Sequence, residues 1–394
     1  MTTQQNLWFD PDPSKVDEED LSVKRSDAVV TATDWTAETI LNQLKRGNIE
    51  LSPNFQRREA WTDARKSAFI ESLFLGLPVP QLVLAERNDK RGAYLVIDGK
   101  QRLLTLRRFA AKSADDDFKP LVLEGLTVRK DLNGKTLEQM ELNPRFEEDV
   151  SEFQNQTIRT VVVRNWPNDD LLYLIFLRLN TSSVPLSTQE LRQALVPGPF
   201  ISFADEYSAQ SDALQRALGL DAPDFRMRDV EILVRFFAFK EFIQDYRGNL
   251  KKFLDTACLL LNKQWATREQ ELQETASLCD SAIDTTIQIF GNEHAFRRWT
   301  GNRFDRPFNR AIFDIMTFYF SQAKVAGLAM ERAESVVTAF RELCERNPEF
   351  NLALTTTTKS IRATKARIQL WGKALQRVLD FEVTIPQVGP PHRQ

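Results

Sequence analysis

Segments with the residue pattern of β-strands occur only in the first half of this chain. Two short runs rich in branched and aromatic residues, 81–85 and 94–97, are joined by a polar loop, as in a hairpin. Residues 157–164 form a further run of this kind. After about residue 195 the apolar residues recur at helical spacing instead. The sequence therefore predicts the α+β class, with a mixed α/β domain followed by an all-helical domain.

Breaks in composition suggest the domain boundaries. Residues 1–33 are polar and acidic, and we expect a flexible acidic arm there. The Pro-Gly-Pro sequence at 197–199 separates a first domain, 34–196, from a helical domain, 197–385. Residues 386–394 are predicted to be a loose tail.

Charge and cysteine content argue against several classes of protein. A formal net charge of −3 argues against a surface coated in positive charge, although a local patch can still contact DNA. The three cysteines are scattered without a C-x-x-C pair, which argues against a thiolate zinc site and for reduced thiols. No apolar run approaches the ~20 residues that a membrane span needs. We therefore expect a cytoplasmic protein with no membrane partner.

The motif with the clearest chemical meaning is Asp98–Arg102, where an apolar strand ends and a helix begins. Gly99 permits a left-handed backbone and the close approach of a ligand. The first amides of the helix have no partner within the helix and favour an anion. Lys100 and Arg102 add positive charge, and Gln101 is suited to reading a base or orienting a water. An ordinary tight turn with solvated charges explains the same spacing about equally well.

Three polar clusters follow one another along the chain: the first, 54–58, precedes this motif, and Asp98–Arg102 is the second. The first cluster contains Gln56 and Arg57 and lies near Trp61. Arginines beside an aromatic ring suit the binding of a phosphate and a base. Taken alone, the cluster favours the structural alternative, in which Trp61 belongs to the core and the arginines pair with carboxylates such as Asp63.

A third cluster covers residues 176–192. Ser187 and Glu190 have the spacing of a capping box, so part of this cluster starts a helix. That explanation does not cover Arg178 and Asn180, which lie at the end of the preceding helix. Asn180 is suited to a hard cation through its amide oxygen, and Arg178 to a phosphate. We expect both to share one site with the turn after the strand; a purely structural role, with Asn180 capping a helix end, is the alternative.

The order of these motifs resembles the N-terminal domains of GmrSD-type restriction proteins. The matching segments are F-Q-R-R-x-x-W, I-E-S-L-x-L-G-x-P-x-P, V-I-D-G-K-Q-R-L-x-T-L and F-x-R-L-N-x-x-x-x-x-L-x-x-x-E-L-R, and together they cover roughly residues 35–196. The family has the ParB/sulfiredoxin-like fold and is implicated in nucleotide binding and hydrolysis. The resemblance therefore implies a nucleoside triphosphate as ligand, of unspecified base, and Mg²⁺ as cofactor.

The resemblance also implies roles for individual residues. The catalytic candidates are Asp98, Gln101 and Arg102. The candidates for nucleotide binding are Gln56, Arg57, Gly99, Lys100, Arg102 and Arg178. The metal candidates are Asn180 and Glu190. The family usually has D-G-Q-Q-R, whereas Lys100 here replaces the first glutamine; its charge supports phosphate binding, but the lost amide is expected to weaken hydrolysis.

Many restriction members of the family continue into an HNH-type nuclease domain, which needs a histidine beside an asparagine or a second histidine at a metal. This chain has two histidines, His294 and His392. His294 lacks the flanking pattern and is predicted to be a surface helix residue. We therefore expect no HNH nuclease centre.

One basic stretch in the helical half, 297–306, interleaves arginines with aromatic residues. Such a pattern suits contact with a nucleic-acid backbone and stacking on bases. The candidate residues are Arg297, Arg298, Trp299 and Arg303. A solvated face over a packed tryptophan is an equal alternative.

The sequence thus predicts a nucleotide-binding, NTP-hydrolysing regulatory protein of a bacterial restriction or phage-defence system. Its partners would be DNA or a separate effector nuclease subunit. The alternative is a non-hydrolysing DNA-binding or adaptor protein of the same fold.

Overall fold

The computed structural model describes residues 28–49, 51, 60–112, 118–179, 187–355 and 360–390. The chain divides into two compact units, with the boundary between Leu195 and Val196. The first unit is mixed α/β and the second is helical, which confirms the predicted fold class. The first polar cluster, with Gln56 and Arg57, lies outside the described residues.

The first unit contains a four-stranded sheet of order β1-β4-β2-β3. Its strands are β1 (Val29–Thr36), β2 (Leu82–Glu86), β3 (Tyr94–Asp98) and β4 (Thr157–Arg164). β1 runs antiparallel to β4, β4 runs parallel to β2, and β2 runs antiparallel to β3. The pair β2–β3 is the predicted hairpin, with an irregularity between Val83 and Leu84.

Strand β1 corrects one predicted boundary. The sequence placed residues 1–33 in a flexible arm, but β1 begins at Val29 and pairs with β4 over all eight residues. Val29 and Val30 are 48% and 64% exposed, so the strand has no buried apolar run that would mark it in the sequence. Its order comes from pairing with a strand far along the chain.

Seven helices belong to the described part of the first unit. They are α1 (Ala37–Lys45), α2 (Asp63–Phe74), α3 (Lys100–Phe109), α4 (Leu137–Glu141), α5 (Glu147–Asn155), α6 (Asp169–Leu179) and α7 (Thr188–Leu195). Thr36 and Thr62 cap α1 and α2 by accepting the N–H of the third residue along. α1, α2, α3 and α5 pack on one another around an apolar core. In that core the rings of Phe74, Phe109 and Phe153 have centroids 5.3 to 6.1 Å apart.

Helices α6 and α7 both pack against β3. α6 begins at Asp169 and ends at Leu179, in agreement with the helix that the sequence predicted there. The third polar cluster, 176–192, includes the end of α6 and the start of α7. Because both helices pack against β3, this cluster lies beside the strand that leads into Asp98–Arg102.

The second unit is a set of helices. They are α8 (Pro199–Gln210), α9 (Asp212–Leu218), α10 (Arg228–Phe242), α11 (Leu250–Phe290), α12 (Arg310–Phe320), α13 (Ala323–Glu331), α14 (Ala333–Arg346), α15 (Pro348–Thr355) and α16 (Ile361–Leu379). α11 is kinked at Arg268, whose backbone is non-helical. α10 is buried along most of its length, as its nearly all-round apolar sequence predicts.

Buried ion pairs link three helices of this unit. Arg235 of α10 binds Asp314 of α12 through two hydrogen bonds, Nε to Oδ1 at 3.0 Å and Nη2 to Oδ2 at 2.6 Å. Arg367 of α16 donates from Nη2 to the same Oδ2 at 3.2 Å. A buried charge is tolerated when it is paired with an opposite charge and hydrogen-bonded in this way.

The first helix of the second unit is capped by a residue distant in sequence. Asn262 of α11 accepts the amide N–H groups of Phe200 and Ile201 through Oδ1, at 3.0 and 3.3 Å. Its Nδ2 donates to the carbonyl of Val196 at 3.3 Å. A β-carbon on Gly198 would lie 2.3 Å from Asn262 Cγ, so this position needs glycine.

None of the helices in the described ranges combines the length and the hydrophobicity that a crossing of a lipid bilayer requires.

Candidate functional site

The second polar cluster forms the predicted turn from strand to helix. β3 ends at Asp98, Gly99 has a left-handed backbone at φ 100°, and α3 starts at Lys100. No side chain among the described residues caps this helix, so none of them supplies a capping acceptor for its first N–H groups. Such a helix start is suited to binding an anion.

The position of a β-carbon at Gly99 is closely packed. A β-carbon at Gly99 would lie 2.4 Å from Leu82 Cδ2 and 3.2 Å from Arg102 Nη2. The space at the β-carbon position is therefore filled by Leu82 and Arg102, and the predicted approach of a ligand to the Gly99 backbone stays a prediction.

Arg102 is held inside the turn, with only 6% of its surface exposed. Its Nη2 donates to Asp98 Oδ2 and to the carbonyl of Gln81, both at 2.8 Å. The guanidinium therefore ties the end of β3 to the residue before β2. Its Nε is buried and has no hydrogen-bond partner within the described residues, so one donor stays available for a bound anion.

The other two catalytic candidates each keep one oxygen without a partner in the described ranges. Asp98 uses Oδ2 to bind Arg102, and its Oδ1 accepts no hydrogen bond there. Gln101 has a buried Oε1 that likewise accepts none. A carboxylate oxygen and an amide oxygen next to an anion-binding turn are suited to orienting a water or a hydrated cation.

Lys100 makes the connection between the second and third clusters. Its Nζ lies 2.8 Å from Glu190 Oε1 in an ion pair whose side chains are 9% and 7% exposed, although the two residues are 90 positions apart. The two clusters thus meet at this ion pair.

Glu190 also forms the predicted capping box at the start of α7. Its N–H donates to Ser187 Oγ at 3.1 Å, and the Ser187 N–H donates to Glu190 Oε2 at 2.7 Å. Both carboxylate oxygens of Glu190 are therefore engaged, one by Lys100 and one by Ser187. A metal at Glu190 would have to bind an oxygen that already accepts a hydrogen bond. The described residues contain no group of three or more acidic, histidine or cysteine side chains that is arranged to bind a metal.

The remaining predicted residues of this site fall in two classes. Arg178 is exposed near the C-terminal end of α6, the helix that packs against β3. Asn180, Gln56 and Arg57 lie outside the described residues, so the predicted sharing of one site by Asn180 and Arg102 stays a prediction. Trp61 is half-buried and packs edge-on against Phe69 of the core, with ring centroids 5.9 Å apart, which favours its structural interpretation.

Two buried polar residues next to Glu190 in α7 were not predicted from the sequence as site residues. Gln189 and Arg192 of α7 are almost fully buried, and Arg192 Nη1 donates to Gln189 Oε1 at 2.5 Å. Both lie within the third cluster beside Glu190, but their spacing alone does not indicate that they face inward. The burial of this polar pair in a short helix becomes evident only from the packing of the structure.

In the second unit, the structure engages three of the four candidate nucleic-acid residues internally. Arg298 binds Asp305 and Asn351, at 2.9 and 3.0 Å. Arg297 donates to the carbonyl of Ala295 at 3.1 Å. The indole N–H of Trp299 donates to Glu345.

Arg303 is the fourth of these candidates and is exposed. It lies next to Phe304 in a small turn closed by a bridge between Trp299 and Phe304. His294 is exposed, as predicted, but lies in a turn after α11 rather than in a helix, and it stacks on Phe304 with centroids 4.6 Å apart. The helix prediction was wrong because α11 ends at Phe290 and Gly291 follows it with φ 78°.

Comparison with known proteins identifies the first unit. Residues 37–197 match the family model of the GmrSD restriction endonuclease N-terminal domain. This confirms the resemblance found in the motifs: residues 37–197 are similar to that domain family. The match covers less than half of the chain and ends where the helical unit begins. It links the first unit to restriction and phage-defence systems. A comparison with curated proteins gave no match.

Proposed function

We propose that the first unit binds and hydrolyses a nucleoside triphosphate as the regulatory component of a bacterial restriction or phage-defence system. The observation that carries this proposal is the uncapped start of α3 after Gly99, flanked by the buried cations Lys100 and Arg102. Helix amides and a guanidinium donor together make a phosphate-binding arrangement.

Each residue of the turn has a role in this proposal. Arg102 keeps its clamp on Asp98 and Gln81 while its Nε donates to a phosphate oxygen. The Oε1 of Gln101, which accepts no hydrogen bond within the described residues, holds the water that attacks the terminal phosphate. Magnesium would arrive with the phosphates, since it binds through phosphate oxygens and one or two protein oxygens. Asp98 Oδ1 fits that requirement better than Glu190, whose oxygens are engaged.

A partner would respond to whether the terminal phosphate of the nucleotide is still bound. A segment that contacts the terminal phosphate changes its order when that phosphate leaves, which is how nucleotide switches release their effectors. DNA or a separate effector nuclease subunit is the partner that the domain family favours.

The test compares purified wild-type protein with Q101A and R102A in the presence of each ribonucleoside triphosphate and Mg²⁺. Thermal stability reports binding, because a ligand raises stability by RT ln(1 + [L]/Kd), and phosphate release reports hydrolysis. We expect R102A to weaken binding about ten- to hundredfold, the size of a charge-assisted contact. Q101A is expected to keep the wild-type fold and binding, since Gln101 Oε1 accepts no hydrogen bond within the described residues, but to lose phosphate release.

R91A is a matched control because Arg91 is exposed in the loop between β2 and β3. It should behave as wild type in both assays. A wild-type protein whose unfolding temperature is unchanged by every triphosphate contradicts the proposal.

A second candidate is a non-hydrolysing DNA-binding or adaptor protein. It is favoured by the ion pairs of Lys100 with Glu190 and Arg102 with Asp98, because both cations are already neutralised within the fold. Triphosphate binding without phosphate release, or DNA binding without any nucleotide effect, would select this candidate.

A further inference from the structure

Helix α7 is docked onto the turn of the proposed nucleotide site. The Lys100–Glu190 ion pair joins its first turn to the start of α3, and the capping box with Ser187 fixes the Glu190 side chain from the other side. The side chain of Glu190 is therefore fixed against the start of α3, and Gln189 is its immediate neighbour in α7.

Gln189 precedes Glu190 and is only 2% exposed. Its Oε1 accepts a hydrogen bond from Arg192 Nη1. Because a guanidinium has donors but no acceptor, this contact fixes which end of the amide is oxygen and which is nitrogen. The Gln189 NH₂ group therefore faces away from Arg192 and has its orientation set by the protein.

That NH₂ group has no acceptor. Its Nε2 is buried from solvent and forms no hydrogen bond within the described residues. Most buried donors in folded proteins are satisfied, and one that is not calls for a partner that the protein itself does not supply. Gln101 Oε1, in the first turn of α3, is a second buried polar atom without a partner. Both helices that meet at the Lys100–Glu190 pair thus carry a buried amide with an unused hydrogen-bonding atom.

We propose that Gln189 is a further ligand-binding residue and donates its oriented amide N–H to an acceptor atom of the bound nucleotide. The inference rests on the proposed function and extends the site from the turn to α7. The acceptor is an oxygen or nitrogen atom of the ligand, either on its phosphates or on its sugar and base.

The test measures affinity by titration calorimetry for Q189E and the wild type. Glutamate keeps an acceptor for Arg192 but has no amide donor, so the fold is preserved and the ligand contact is lost. Q193E is the matched control, because it adds the same charge one turn further along α7. We expect Q189E to weaken triphosphate binding by about three- to tenfold more than Q193E, the range of a single hydrogen bond.

Two ligands separate the possible acceptors. Loss of affinity for both the nucleoside triphosphate and inorganic tripolyphosphate places the acceptor on the phosphates. Loss confined to the nucleoside triphosphate places it on the sugar or base. Either result supports the proposal.

A second variant, Q189M, removes the donor without adding charge and covers the case in which Q189E does not fold. Wild-type affinity in the folded Gln189 variants, beside clear binding by the wild type, overturns the inference and leaves the proposed function intact. Equal losses in Q189E and Q193E with an unaffected Q189M also overturn it, because the loss then reflects charge repulsion. Absence of any nucleotide binding by the wild type removes the proposed function and this inference together.

Discussion

Gly99 and Leu82 are packed so closely that a β-carbon on the glycine would lie 2.4 Å from Leu82 Cδ2. Alanine at Gly99 therefore meets two penalties, the left-handed backbone and the clash with Leu82. The matched control is Gly134, which has φ 78° but nothing within 4 Å of the β-carbon position. We expect G134A to lower the free energy of unfolding by about 1–2 kcal/mol, and G99A by about 1–3 kcal/mol more. Urea unfolding measures both; equal losses would show that Leu82 moves aside without cost.

The Lys100–Glu190 ion pair is expected to be a strong determinant of stability. Replacing Glu190 by glutamine removes the carboxylate of this pair from a buried ammonium, and we expect a loss of about 3 kcal/mol. The double variant K100Q/E190Q should recover part of that loss, because it removes the buried ammonium together with the carboxylate. D284N is the control, since it removes an ion pair with Arg216 whose side chains are 54% and 44% exposed, and it should cost less than about 1 kcal/mol. Additive effects of K100Q and E190Q in a double-mutant cycle would contradict the coupling.

Asp63 should make the stability of the first unit sensitive to acid. Burial alone raises the pKa of Asp63, but hydrogen bonds from Arg108 and Lys66 outweigh it and lower the pKa to about 2. Because this folded-state pKa lies below the value of 3.8 for a free aspartate, the ionised group stabilises the fold above about pH 4. This contribution is lost as the pH falls towards 2.

The measurement is the free energy of unfolding of the wild type and D63N between pH 5 and pH 2. We expect the wild type to lose more stability than D63N over this interval, so that the two curves converge on the acid side. Curves that stay parallel would show that the carboxylate does not stabilise the fold through its charge.

In the basic stretch of the second unit, Arg298 and Arg303 should differ in their effects. R298A breaks contacts with Asp305 and Asn351 and should lower the unfolding free energy by about 1–2 kcal/mol. R303A should change stability by less than about 0.5 kcal/mol, because Arg303 is exposed. If this surface binds DNA, R303A should weaken the binding and reduce its dependence on salt. An R303A protein with unchanged affinity for DNA at low salt would remove the nucleic-acid interpretation of Arg303.

The sequence predicts the turn after β3 well because its signals are local. An apolar strand, a glycine and a run of helix-forming residues follow one another, and each element is indicated by residues within a few positions. The capping box of Ser187 and Glu190 is local in the same way, and the structure contains it.

Contacts between distant segments account for what the sequence did not predict. The Lys100–Glu190 pair joins residues 90 positions apart, and β1 is ordered by its pairing with β4. Local composition predicts neither the ion pair nor the strand. Lysine is usually a surface residue, and the residues of an exposed edge strand are also those typical of a surface. Gln189 has the same property: its burial depends on how α7 packs against β3.

The capping of α8 by Asn262 has a consequence for the order in which the chain is made. Asn262 lies more than 60 positions after the groups that it caps. Its Oδ1 accepts hydrogen bonds from the amides of Phe200 and Ile201, and its Nδ2 donates to the carbonyl of Val196. During synthesis on the ribosome, the start of the helical unit therefore stays without its cap until Asn262 has emerged. We expect nascent chains that stop before this residue to be cut by protease close to Gly198, and chains that extend beyond α11 to resist cleavage there.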